Sequence, residues 1–224
     1  METTDAIHAW RSIRKWKTDP VPDDVLKKLL EAGRRAPSWE NAQPWRFITV
    51  SDPAVREKLK DLAFGQKTII RAPLVIAVAG DLAVWDREQQ RKALMELREA
   101  GAVQASDDII ERVFLSNPAF APGLRDNPVR AARTLEQVTY AVSFLLMEAT
   151  NQGLGVCIVG AFGNEFTGEL MDEYAEIKEA LNLPETCLLM VILCIGYPDV
   201  SPPPRPRKPM GEIAFRERYG TPFE

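Results

Sequence analysis

Histidine and cysteine are scarce in this chain of 224 residues, and their scarcity excludes several kinds of active site. His8 is the only histidine, so a two-histidine catalytic dyad and a histidine metal cluster are both excluded. The three cysteines form no CxxC pair and lie in or beside apolar runs; they are Cys157, Cys187 and Cys194. We therefore expect buried, reduced thiols rather than disulfides or metal ligands, as is typical of the cytoplasm.

Long hydrophobic runs and a leader segment are also missing. The longest apolar run, residues 188–195, is far too short to span a bilayer, and the amino terminus has no basic region followed by an apolar one. We therefore expect a cytoplasmic protein without a membrane partner. The net charge of −4 argues against a surface devoted to nucleic acid or anionic membrane, so an anion bound by this chain should be small and enclosed.

The length and the apolar content predict a single α+β domain over residues 1–224. Because 46% of the residues are apolar, the chain has enough core for one domain that holds a cofactor, whereas two domains would be cramped. Apolar runs predict strands at residues 47–50, 73–80, 156–159 and 188–195. Residues 81–127, which are rich in charge, proline and glycine, are interpreted either as an inserted lid or as ordinary surface decoration.

A long helix is predicted after this segment. Asn127 and Pro128 open it and Gly153 ends it, which gives about 25 residues where the usual globular helix has ~11 to 12. Its middle, residues 138–147, is apolar on nearly all sides. We expect this helix to be buried centrally or in a subunit interface.

The stretch that most needs explaining is AGRRAPSWENAQPWRF, residues 32–47, which joins a helix to a strand. Pro37 ends the helix and favours extended backbone at the residue before it. Ser38 and Asn41 then fall in a short loop, here called the elbow (residues 37–44), where they can cap backbone groups or hydrogen-bond a ligand. Taken alone, this stretch favours a rigid turn whose tryptophans cover core.

Two arginine-bearing segments lie near the chain ends. Arg11 and Arg14 lie in RSIRKWK at the end of the first helix, and Arg205 and Arg207 lie in the proline-stiffened RPRK. Since arginine forms forked hydrogen bonds with phosphate, the two segments would form a phosphate clamp if they met. Each alone is better explained as a solvated helix end or a solubilising tail. Their combination with PSWENAQPW favours a binding site.

This combination resembles the FMN-dependent nitroreductase family, which also contains flavin-using dehalogenases and a flavin-cleaving enzyme. The resemblance covers nearly the whole chain, from RSIR and APSWENAQPWRF through APLVIAV and GLG to GYP and PRPRKP. It implies a three-layer α/β/α fold with a central, mainly antiparallel sheet and an extended C-terminal tail. It also implies an obligate homodimer, FMN as cofactor, NADH or NADPH as electron donor, and no metal.

The same resemblance implies which residues bind the flavin. The N-terminal motif and the C-terminal basic pair would hold phosphate, the elbow would approach the ring from the other subunit, and the backbone after the third strand would pass its reactive nitrogen. These residues are Arg11, Ser12, Arg14, Pro37, Ser38, Trp39, Asn41, Gln66, Gly160, Ala161, Arg205 and Arg207. No catalytic acid or base is implied, and Arg14 is expected to stabilise the reduced flavin electrostatically.

Two departures from the family pattern stand out. Many relatives carry two arginines before the serine, whereas here the first is Trp10, so phosphate binding shifts to Arg11 or to the tail. Trp39 and Glu40 replace residues that are commonly small, so a bulky indole would narrow or line the substrate pocket.

The reaction implied is a ping-pong hydride transfer that reduces nitroaromatic, quinone or related acceptors, with residues 81–127 influencing the choice of acceptor. The alternatives are a flavin enzyme of the same fold that catalyses dehalogenation, enone reduction or flavin cleavage, a non-enzymatic flavin-binding protein, and a basic-patch binder using Arg34 and Arg35. The sequence has no GxGxxG fingerprint, so NADH and NADPH are not distinguished.

Overall fold

Four strands and nine α-helices form within residues 1–223, which are the residues that the computed structural model describes. The strands are β1 (Trp45–Thr49), β2 (Leu74–Asp81), β3 (Gly155–Val159) and β4 (Cys187–Gly196). The helices are α1 (Thr3–Ala9), α2 (Asp23–Arg34), α3 (Pro53–Leu62), α4 (Thr68–Arg71), α5 (Arg87–Glu99), α6 (Asp107–Ile109), α7 (Asn127–Asn151), α8 (Met171–Ala180) and α9 (Met210–Ile213).

The strands form one sheet in the order β1-β2-β4-β3, and each neighbouring pair is antiparallel. The predicted α+β fold with an antiparallel sheet is thereby confirmed. β2 and β4 occupy the middle of the sheet, which explains their almost unbroken apolar sequences, because a strand covered on both faces has few polar positions. β1 and β3 are the two edges of this sheet.

Helices cover both faces of the sheet. Ile76 and Val78 of β2 belong to a core shared with α2 and α7, whereas Val75 and Ala77 belong to a second core shared with α3 and α8. Successive side chains of a strand point to opposite faces, so one strand supplies both cores. The result is a layer of helices, a sheet and a second layer of helices.

Helix α7 has 25 residues, as the sequence predicted. One side, which includes Val138, Ala141 and Leu145, is buried in the first core. Leu135 and Phe144 of the same helix are 47% and 46% exposed; they are nine residues apart and so project in opposite directions from the helix axis. Within residues 1–223, none of the helices combines the length and the apolar character needed to cross a membrane.

Residues 81–127, here called the lid, contain α5, α6 and short turns. They have a small apolar core of their own around Leu94, Ile110 and Leu115. The buried side chain of Trp85 donates from Nε1 to Thr134 Oγ1 at 2.8 Å and fastens the lid to α7. The name describes position only, since a role in acceptor choice stays a prediction.

The N-terminal strip, residues 11–17, runs along the outer edge of β3. Ser12 pairs with Val156 in an isolated parallel bridge, and the Ile13 N–H donates to the Val156 carbonyl at 3.0 Å. The Trp16 indole N–H donates to the Gly155 carbonyl at 2.9 Å. The strip therefore extends the sheet beyond its last strand.

The end of the strip meets the chain that leaves β4. The Lys17 N–H donates to the Tyr197 carbonyl at 2.9 Å, and the Asp199 N–H donates to the Lys15 carbonyl at 3.1 Å. Residues 201–209 then have neither helix nor strand, as expected for a segment whose prolines remove backbone donors. The extended C-terminal tail that the family resemblance implies stays a prediction.

Gly155 lets the strip lie against β3, because a Cβ there would be 2.4 Å from Cγ1 of the buried Ile13. We expect Gly155→Ala to lower the free energy of unfolding by about 1–3 kcal/mol, since the strip would have to move away. Gly160→Ala is the matched control, because its Cβ would meet nothing within 4 Å. The control should change the free energy by less than about 0.5 kcal/mol. Urea denaturation measures both, and equal stabilities would contradict this packing.

Candidate functional site

Ser12 and Arg14 lie together at the outer edge of β3. Ser12 is held there by its bridge to Val156, and Arg14, two residues later, is exposed. Burial raises the pKa of the Cys157 thiol, and the positive charge of the neighbouring Arg14 acts in the opposite direction. The strip thus places a permanent cation beside the middle of β3.

Arg11 has hydrogen-bonding capacity that the chain leaves unused. Its Nη1 donates to the Ala9 carbonyl at 2.9 Å, but its Nε is buried and has no partner among the described residues. A buried donor without an acceptor costs about 1–3 kcal/mol. An anion that reached this nitrogen would remove that cost, which fits the predicted phosphate-binding role.

The chain directly after β3 forms the adjoining part of this edge. Gly160 and Ala161 are exposed, and a Cβ on Gly160 would meet nothing within 4 Å. The Gln66 Nε2 donates to the Ala161 carbonyl at 3.0 Å, so the structure brings these two predicted site residues into contact. Open backbone at this position leaves room for a planar ring.

The elbow has a strained backbone. Glu40, Asn41 and Gln43 have φ angles of 47°, 57° and 48°, in the left-handed region. For Glu40 and Gln43 this backbone costs about 1–2 kcal/mol each, whereas asparagine tolerates it better, and the strain persists only where the surroundings hold it. Inside the elbow, Ser38 Oγ accepts a hydrogen bond from the Gln43 N–H at 3.1 Å, while Pro37 is exposed.

Trp39 is held by α7 and the lid rather than by the strip. Its backbone N–H donates to Gln137 Oε1 at 2.7 Å, and the Arg133 guanidinium lies 5.1 Å from its ring centroid. The ring centroid of Phe120, in the lid, is 6.4 Å from that of Trp39. Trp39 is thus a half-buried indole beside a cation, at the place where the elbow meets α7 and the lid.

Glu40 is fixed to the lid. Its Oε2 accepts a hydrogen bond from Gln90 Nε2 at 2.6 Å, whereas its Oε1 is buried without a partner among residues 1–223. Burial raises the pKa of the Glu40 carboxyl, and the hydrogen bond from Gln90 acts in the opposite direction. The carboxyl therefore ties the elbow to the lid but carries the cost of desolvation.

In the described part of the chain, no hydrogen bond joins the C-terminal arginines to the strip. Arg205 and Arg207 are exposed, and Arg207 Nη1 donates to the carbonyls of Arg205 and Pro206 at 3.3 and 3.1 Å. The tail begins beside the strip, and the phosphate clamp stays a prediction.

The predicted site is divided between opposite edges of the sheet. The elbow leads into β1 at one edge, and the strip and Gly160 lie at β3 on the other. Three strand spacings separate these edges, which is roughly 14 Å. Over residues 1–223, the hydrogen bonds of Trp39 and Glu40 lead to α7 and the lid and not to the strip.

Sequence reasoning missed Gln90, Arg133 and Gln137, the residues that hold the elbow. Gln90 and Gln137 reach partners 50 and 98 residues away in the chain. A glutamine in a helix has no spacing that marks such a contact. The sequence pattern of α5 does not show that Gln90 is a buried position on an otherwise charged helix, and no other signal in the sequence marks it.

Comparison with known proteins connects this architecture to one family. The Nitroreductase family profile matches residues 7–197. An NADH dehydrogenase of Thermus thermophilus is 30% identical over 209 residues, covering 92% of this chain and 91% of the relative. An NADPH-flavin oxidoreductase of Vibrio harveyi is 26% identical over 217 residues, covering 97% of this chain and 74% of the relative.

A solved structure agrees with the sequence comparison. A nitroreductase-like protein of Streptococcus mutans has a TM-score of 0.75 at 21% identity, covering 96% of this chain and 98% of that protein. The segment matched by the family profile contains the strip, the elbow, the lid and all four described strands. The chain therefore belongs to the Nitroreductase family, and it is an oxidoreductase, as its motifs predicted.

Proposed function

We propose that this protein is an NAD(P)H-dependent FMN oxidoreductase that reduces nitroaromatic, quinone or related acceptors, and that it works as a homodimer with two active sites. The observation that carries the proposal is the strip along β3, which brings Arg14 to the same sheet edge as the open backbone of Gly160. The elbow that would complete the site lies at the opposite edge. A second subunit would supply it.

The residues at the β3 edge suit a flavin that carries a phosphate. Arg11 keeps a buried Nε without a partner in the described chain, and Gly160 has open space above it. We assign phosphate binding to Arg11 and Ser12 together with Arg205 and Arg207 of the tail. Arginine suits this task because its planar fork matches phosphate oxygens.

When bound, FMN would supply the hydride chemistry of a ping-pong reaction, in which a hydride from a nicotinamide is passed on to the acceptor. Arg14 would hold a permanent positive charge where negative charge develops on the ring. Gln66 would be oriented by its bond to the Ala161 carbonyl, which would keep its amide at the ring edge. No side chain acts as acid or base in this scheme.

The partner's elbow would have a different task. Pro37, Ser38, Trp39 and Asn41 would cover the ring and exclude water from it, and Trp39 would form an aromatic wall for the acceptor. The bonds from α7 and the lid hold Trp39 in its own subunit. The elbow would therefore reach the neighbouring flavin already in its working shape.

The relatives support a flavin and a nicotinamide donor. One is named as an NADH dehydrogenase and another as an NADPH-flavin oxidoreductase. Because these names differ in the nicotinamide, we propose NADH or NADPH as the donor.

Exposed apolar residues of α7 support the homodimer. Tyr140 and Phe144, four residues apart on one side of the helix, are 40% and 46% exposed, although another side of the helix lies in the core. Apolar surface of this kind is typical of an interaction site. A two-fold dimer through α7 would offer each elbow to the partner's β3 edge.

Replacing Arg14 and Arg207 together by alanine should strip the protein of flavin. Each hydrogen bond to a charged group contributes about 1.5–3 kcal/mol, so the Kd for FMN should rise about 100-fold or more. Arg112→Ala is the control, because this lid arginine is exposed and pairs only with Asp108. Absorbance after purification and a fluorescence titration with FMN measure the effect. A double variant that stays fully loaded would contradict the assignment.

Placing charge on the exposed apolar pair of α7 should separate the subunits. We expect Tyr140→Glu with Phe144→Glu to give a monomer that has lost its flavin, because each site would lack the partner's elbow. Met171→Glu is the control, since Met171 is 43% exposed on α8 in the other helical layer. Light scattering coupled to gel filtration gives the mass. A monomer that retains flavin would show that one chain completes the site.

The purified protein should be yellow and should bleach under anaerobic conditions when NADH or NADPH is added, and an acceptor should restore the colour. Initial rates should give parallel double-reciprocal lines because the first product leaves before the acceptor binds. A yellow protein that neither nicotinamide bleaches would favour flavin storage, and a colourless one that refuses FMN would favour a binding protein. Product analysis separates nitro reduction from dehalogenation.

A further inference from the structure

Buried polar side chains in the described chain converge on one region. They are Gln90, Thr134 and Gln137, each at most 2% exposed. Thr134 accepts the hydrogen bond from the lid residue Trp85, Gln137 accepts the one from Trp39 in the elbow, and Gln90 donates to Glu40. Each of them joins two of the three segments lid, α7 and elbow, and buried polar groups used in this way specify one arrangement.

Gln90 links the elbow to the lid more directly than the other two. Its Nε2 donates to Glu40 Oε2 at 2.6 Å and to the Phe120 carbonyl at 3.0 Å. Phe120 is also the lid residue whose ring faces Trp39. One amide group therefore fixes both the elbow and the lid residue that packs against the elbow.

The elbow needs such support. Three of its residues hold left-handed backbone angles, and its internal bonds are few, among them Asn41 N–H to the Ser38 carbonyl at 3.1 Å and Ala42 N–H to the Trp39 carbonyl at 2.9 Å. Glu40 is the strained residue whose side chain bonds to another segment. Without that bond, the surroundings would hold the strained turn less firmly.

We propose that Gln90 and Glu40 are positioning residues, through which the lid holds Trp39 in place and so sets which sizes of acceptor the neighbouring active site admits. This inference rests on the proposed function, because it takes Trp39 to be a wall of that site. Neither residue touches the reacting atoms. Gln90 and Glu40 keep the Trp39 indole in one position.

The indole has a defined position only if its supports act together. Its backbone is fixed by Gln137, and its ring lies between Arg133 and Phe120. Releasing Glu40 would free the residue next to Trp39 and loosen the lid residue beside the ring. The acceptor site would then distinguish less sharply between small and bulky molecules.

The test compares four variants of the dimer with the wild type. Gln90→Met removes the donor at similar volume, Glu40→Ala removes the acceptor, the double variant removes both, and Glu40→Gln keeps an acceptor oxygen. Gln104→Met is the matched control, since Gln104 is an exposed lid residue. The readout is the ratio of kcat/KM for para-benzoquinone to that for the bulkier menadione, with the visible circular dichroism of the bound flavin as a second signal.

We expect Gln90→Met and Glu40→Ala each to change this ratio by about 3- to 30-fold, and the double variant to match the single ones, as coupled residues do. Glu40→Gln and Gln104→Met should stay within about twofold of the wild type. The proposal is overturned if Gln90→Met has its full effect in the Glu40→Ala background, or if Glu40→Gln behaves like Glu40→Ala.

A measurement without catalysis separates this proposal from the proposed function. Fluorine NMR of fluorotryptophan-labelled protein reports the surroundings of each indole, and Trp39→Phe assigns the resonance of Trp39. We expect Gln90→Met and Glu40→Ala to shift or broaden that resonance, and Gln104→Met to leave it unchanged. An unmoved Trp39 resonance would overturn the positioning role even in an active enzyme. A wild type that no nicotinamide reduces would overturn the proposed function instead.

Discussion

The separation of the elbow from the strip by the width of the sheet is the constraint on which the rest of this protein depends. Because β2 and β4 are apolar on both faces, they occupy the middle, and β1 and β3 become the edges. The elbow leads into β1 and the strip follows β3, so one chain keeps these two groups of residues apart. The proposed dimer would bring the two groups together across subunits, and the exposed pair Tyr140 and Phe144 of α7 offers a surface for it.

A second theme is the use of buried hydrogen bonds to fix an irregular segment. An ordinary loop could be held by apolar packing alone, but the elbow has left-handed residues and would relax without specific partners. Gln90 of the lid and Gln137 of α7 supply those partners, and Thr134 joins the lid itself to α7. The lid therefore supports the elbow structurally, and it has a small apolar core of its own around Ile110.

The regular elements could be predicted from the sequence because their signals are local. The apolar runs at β2 and β4 and the long helix α7 appear where the pattern placed them. Gln66 and Ala161, which are in contact, are both residues that the family resemblance had singled out. The contacts of Glu40 could not be predicted, since a carboxyl in a polar loop is expected to face water, and its partner Gln90 lies on a helix of mostly charged residues.

By itself, the sequence determined the strands and the long helix, because periodicity and proline act over short distances along the chain, and its motifs carried the family resemblance that singled out residues for a flavin site. Only the tertiary structure decided which of those residues meet. Strand order placed the elbow and the strip on opposite edges, and docking of the lid onto α7 enclosed Glu40 with Gln90. Both outcomes depend on contacts between residues far apart in the chain, which no local pattern encodes.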